Sequence, residues 1–83
     1  MDLDAATERA RLMREVVTST SVEHTSDDHA VTVVAGPGGV LRDLSLSSRA
    51  FRLTGAELGA LVVRTIHEAN TLVTAEVAAR MPR

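Results

Sequence analysis

Leu53-Thr54-Gly55-Ala56-Glu57-Leu58 decides how this chain folds, because it gathers the signals of a helix start into one short stretch. Thr54 is a strong N-cap and Glu57, three residues on, completes a capping box. Leu53 and Leu58 stand where a hydrophobic staple needs them. The apolar periodicity that follows predicts a helix over 54–81. At 1.5 Å per residue such a helix reaches roughly 40 Å, longer than a globule of this chain length is wide. Part of its apolar face therefore has no partner within one chain, and an oligomer is expected.

The residues of that helix repeat the message. On a helical wheel Leu58, Leu61, Val62, Ile66, Ala69, Leu72, Val73 and Val77 cover about half the circumference, more than the single stripe of a surface helix. Arg64, His67, Glu68 and Thr71 occupy the opposite face. Glu76 and Arg80 interrupt the apolar arc near its end as an i,i+4 pair. The helix is expected to pack first on a sheet and a partner, then to project outwards.

Upstream, residues 18–46 read as three strands. Thr18 to His24 alternates and is β-branched, and Thr25-Ser26-Asp27-Asp28 is turn chemistry. His29 to Ala35 is the strongest strand pattern in the chain. Gly36-Pro37-Gly38-Gly39 is a second turn. Val40 to Leu46 is a third strand with a predicted irregularity, because Val40/Leu41 and Leu44/Leu46 break strict alternation. Two short turns imply an antiparallel meander. Residues 1–17 read as a helix whose Leu3, Ala6, Ala10, Met13 and Val17 form a narrow seam, flanked by Arg9 and Arg14 with Arg11 pointing away. So thin a stripe needs a partner to hold its helix. The fold class is α+β, and the 83 residues are expected to form one domain, 1–83.

Composition narrows the function. The chain has no cysteine, so it offers no disulfide, thiolate nucleophile or zinc knuckle. With Phe51 its single aromatic, the core must be built from Val, Leu, Ala and Ile. Its N-terminus is acidic where a signal peptide is basic, and no apolar run approaches a membrane span, so a cytoplasmic location is expected. The net charge of −2 is unevenly spread: −1 over residues 1–22, −3 over 23–48 and +2 over 49–83. Every basic residue is arginine, the side chain suited to forked contacts with phosphate or carboxylate.

No catalytic constellation emerges. His67-Glu68 begins a zinc-protease pattern, but the second histidine would fall at 71, which is Thr. Gly36-Pro37-Gly38-Gly39 lacks the Gly-Lys-Ser/Thr of a phosphate loop and leads into a strand. His24 and His29 bracket an exposed hairpin tip that provides no closed metal shell. Serines are plentiful without a Gly-x-Ser-x-Gly elbow. The expectation is no enzyme, no metal and no cofactor. The arginines remain, either as local helix-end and ion-pair contacts or as phosphate contacts doubled by a dimer axis.

The order of elements resembles the YbaB/EbfC family of nucleoid-associated proteins in its actinobacterial form. The resemblance lies in Val31-Thr32-Val33-Val34-Ala35-Gly36-Pro37-Gly38-Gly39-Val40-Leu41-Arg42-Asp43-Leu44-Ser45-Leu46. It continues through Leu53 to Leu58 and Val62-Val63-Arg64-Thr65-Ile66-His67-Glu68-Ala69, covering roughly residues 15–81. It implies a homodimer with joined sheets, the long helices projecting as tweezers that bind duplex DNA with little or moderate sequence preference. Carried over by position, the DNA contacts would be Arg9, Arg11 and Arg14 on the first helix and Arg64, Arg80 and Arg83 on or after the last. The expected dimer interface comprises Val31, Val33, Leu58, Leu61, Val62, Ile66, Ala69 and Val73. The expected partners are thus a second copy and duplex DNA, in the nucleoid, with no membrane. The alternative is a dimeric accessory module of the same fold, for example secretion-associated, that holds another protein and no DNA. Three departures from the family pattern stand out: a short first helix, a replaced Asn near His67 and the absence of lysine.

Overall fold

The capping box read from the sequence is present. The Thr54 hydroxyl accepts from the Glu57 N–H at 3.1 Å, and the Glu57 carboxylate accepts from the Thr54 N–H at 2.8 Å. In the computed structural model, which describes residues 3–81, this cap opens α2 (Gly55–Arg80). Leu53 and Leu58, the residues of the staple, are half-buried against the core.

Before it come α1 (Leu3–Ser19), β1 (Val22–Thr25), β2 (Val31–Gly36) and β3 (Val40–Leu46). The strands form one antiparallel sheet in the order β1-β2-β3, so the predicted α+β architecture of helix, meander and long helix holds. Short 3₁₀ segments, Pro37–Gly39 and Ser48–Arg52, join β2 to β3 and β3 to α2. Gly38 and Gly39 take φ of 79° and 78°, which only glycine adopts without strain.

Two boundaries differ from the sequence reading. Thr18 and Ser19, read as strand, complete α1, because both the N–H and the hydroxyl of Thr20 return to the Val16 carbonyl and close a last helical turn. His29, read as strand, sits in the first turn at φ 60°. There Ser26 ties the loop: its hydroxyl donates to Asp28 at 2.7 Å and accepts from the Val31 N–H at 3.1 Å. β2 therefore begins two residues later, at Val31.

The core lies between the sheet and α2. Val31, Val33 and Ala35 point from β2 toward the helix, where Leu61, Thr65, Ala69 and Val73 meet them as one buried stripe. Thr65 is fully buried yet satisfied, its hydroxyl donating to the Leu61 carbonyl at 2.7 Å. Arg64 and Glu68, on one flank of that stripe, lie beside the β1 side of the sheet: Glu68 approaches His24 of β1 at 3.4 Å and Arg64 neighbours Asp28. The helix is thus centred over β1 and β2. β3 stays uncovered, exposed along its whole length.

The predicted irregularity in β3 is a bulge. Val34 pairs with Asp43 and Ala35 with Leu41, which leaves Arg42 as the extra residue. Its side chain lies across Gly36, where a Cβ would stand 2.6 Å from Nε.

Candidate nucleic-acid interface

The C-terminal ends of the two helices meet far from the first turn of α2. Arg80, in the last turn of α2, donates from Nη1 to the Thr20 hydroxyl at 2.9 Å and from Nη2 to the Ser19 hydroxyl at 3.1 Å. The expected pair with Glu76 does not form: the sequence places these two residues four apart, but tertiary contact offers Arg80 better-directed acceptors across the chain. Both acceptors are neutral, so they orient the guanidinium without offsetting its charge.

Around this junction opens a groove of about 620 Å³ whose lining includes Leu12, Arg14, Glu15, Val16, Ser19 and Arg80. Glu15 is engaged by Arg11 at 2.7 Å, and Arg11 also holds Glu8 in a close ion pair. That pairing holds the Glu8 carboxyl below its ordinary 4.5 and raises the Arg11 guanidinium. Arg11 is thereby flanked by two carboxylates, whereas Arg9, Arg14 and Arg80 form no ion pair among the described residues.

The structure thus divides the sequence-predicted arginines. Arg14 and Arg80 come together at the groove, with Arg9 exposed further along α1. Arg83 lies outside the described residues. Arg64 is remote from this group: it is exposed on α2 near the first turn. The Asp28 carboxyl there is held below 3.8, first by the Ser26 hydroxyl, then by the Ala30 N–H, with the Arg64 charge a smaller contribution. Glu68, one turn further along α2 from Arg64, turns to His24.

The expected interface residues divide as well. Val31, Val33, Leu61, Ala69 and Val73 are buried inside the single chain, where the sheet and α2 already satisfy them. Leu58, Val62 and Ile66 stay half-buried at the margin of that core. Other apolar side chains are left in water, among them Leu41, Leu44 and Leu46 of β3, each more than 40 % exposed, and Phe51 at 83 %. Alternation alone did not reveal β3 as uncovered, since exposure there depends on where α2 lies across the sheet.

No group of three metal-binding side chains occurs among the described residues, and no helix there is long and apolar enough to cross a membrane. Among curated proteins none matches the chain. A model of the YbaB/EbfC DNA-binding family matches residues 2–83, and a helix, a three-stranded antiparallel sheet and a long capped helix are what those residues form; the chain belongs to that nucleoid-associated, DNA-binding family and not to a known enzyme family.

Proposed function

We propose that this protein is a homodimer that binds duplex DNA in the nucleoid without strong sequence preference, gripping phosphates with arginines at the meeting point of its helices. The observation that carries this reading is the Arg14–Arg80 groove, where the ends of α1 and α2 meet beside unpaired guanidinium charge. Arg9 adds exposed charge further along α1, and Arg83 follows Arg80 by three residues in the sequence. Arg11, flanked by Glu8 and Glu15, and Arg64, beside Asp28, contribute less, because neighbouring carboxylates already offset their charge.

A dimer supplies two such ends and covers the apolar side chains that one chain leaves exposed. Arginine contacts to phosphate carry affinity and register but no base code.

Fluorescence anisotropy with a labelled duplex at low and at physiological salt tests the proposal. Binding at low salt that weakens steeply with added salt, and that Arg80→Ala with Arg83→Ala abolishes, is the expected result. No binding at low salt would leave the dimeric accessory module as the better account. Binding that survives both substitutions would move the contacts elsewhere.

A further inference from the structure

The uncovered strand carries more information than its exposure. We propose that β3 pairs antiparallel with β3 of a second copy in one register, with Arg42 of each chain opposite the partner's Asp43 across a two-fold axis; this rests on the homodimer reading above.

β1, the other edge of the sheet, is four residues long, polar at Glu23, His24 and Thr25, and flanked by α2 through the His24–Glu68 contact. β3 has seven residues, with Val40, Leu41, Leu44 and Leu46 between 41 % and 49 % exposed. A long apolar edge left open is a template for another strand. Helical geometry adds apolar surface beside it. Arg64 and Glu68 face the β1 side, so Val62, Val63 and Ile66 occupy the flank toward β3.

A pairing that uses the whole strand must cross the bulge, which then selects its register. Leu46, Leu44 and Leu41 pair with Val31, Val33 and Ala35, so they share the face of the sheet that carries α2. Ser45, Asp43 and Val40 pair with Thr32, Val34 and Gly36 and share the other face. Arg42 reaches over Gly36, which puts its side chain on that second face too. The extra residue inverts the parity of alternation between the two halves of the strand. Symmetric pairing centred on Asp43 would set Leu41 against the partner's Ser45 and Arg42 against the partner's Leu44, on opposite faces. Centring the axis between Arg42 and Asp43 sets Leu41 against the partner's Leu44 and Val40 against the partner's Ser45. Each of those pairs shares a face. The same register brings opposite charges together twice, once on each side of the axis.

Two experiments read this out. Because the chain has no native cysteine, Val40→Cys with Ser45→Cys in one chain introduces the only thiols, and residues 40 and 45 of one strand are too far apart to join. Oxidation is expected to link two chains in the double variant and in neither single variant. In sedimentation equilibrium, Arg42→Asp or Asp43→Arg alone is expected to raise the dimer dissociation constant about tenfold, by turning two attractions into two repulsions. The combined swap is expected to restore it. A dimer that the swap does not rescue overturns this register and leaves the homodimer intact. A chain that stays monomeric at every concentration overturns both.

Discussion

Asp28 shows how much a single turn residue does in so small a molecule. Its carboxylate accepts from the Ser26 hydroxyl and from the Ala30 N–H, and its own carbonyl receives Arg49 at 3.2 Å. These contacts hold the turn that lets His29 adopt its left-handed backbone and lets β2 start at Val31. The Ser26 hydroxyl first, and then the Ala30 N–H, also favour the ionised form, so the folded carboxyl titrates below its ordinary 3.8, as Glu57 does below 4.5 through the N–H and hydroxyl of Thr54. The sign follows directly. The unfolded chain takes up these protons at higher pH than the folded one, so the stabilisation is complete above the ordinary values and disappears as pH falls through the lowered ones. Thermal unfolding followed by circular dichroism is expected to give a flat midpoint from neutral pH to about 5 and a decline below it. Asp28→Asn keeps an acceptor oxygen in the turn while removing the titration, and is expected to make that decline shallower.

At the scale of elements, the two helices of this chain are held by opposite means. α2 is capped at its start, buried along Leu61, Thr65, Ala69 and Val73, and stays on the sheet for most of its length. α1 has every described side chain from Asp4 to Glu15 exposed, and it is tied to the rest near Val16 to Thr20, where Arg80 reaches it. That contrast explains what the sequence disclosed. β3 was legible at Val40 and Leu46, and α2 from its cap at Thr54, because strong local signals and tertiary packing agree there. Thr18-Ser19 and His29 were not, since β-branching and alternation favour a strand while a hydroxyl returning to Val16 and a knitted turn at Ser26 decide otherwise. At the candidate site the sequence supplied the arginines as candidates but not which of them stand together, because that depends on which carboxylate or hydroxyl the fold brings within reach. A helix without burial opens readily, so amide hydrogen exchange is expected to be fast from residue 4 to about 15 and slowest at Val31, Val33 and Ala69. Added duplex should slow the first group. Protection of α1 equal to that of β2 in the isolated protein would contradict this account of how the element is held.

Over the whole molecule, shape and charge combine into one expectation. The described residues extend 59 × 16 × 15 Å with a radius of gyration of 16.7 Å, against roughly 12 Å for a compact chain of this length. One end is sheet and turn, rich in acidic residues over 23–48; the other brings Arg14 and Arg80 together. On the proposed reading, a dimer bearing twice the net charge of −2 gains nothing from its overall field on approaching DNA, and its affinity would come from arginines that meet phosphates directly. Such contacts are counted by salt. Each phosphate neutralised on a duplex adds close to −0.9 to the slope of log K against log salt, and an arginine lost from both chains removes two contacts at once. Arg14→Ala is therefore expected to make the slope shallower by roughly two. Arg11→Ala, whose guanidinium is already engaged by Glu8 and Glu15, should change it little and leave those carboxylates to repel the duplex. Anisotropy titrations across a salt series distinguish the two variants. Equal slopes for both would mean that the groove between the helix ends does not meet the phosphates, whatever affinity the protein shows.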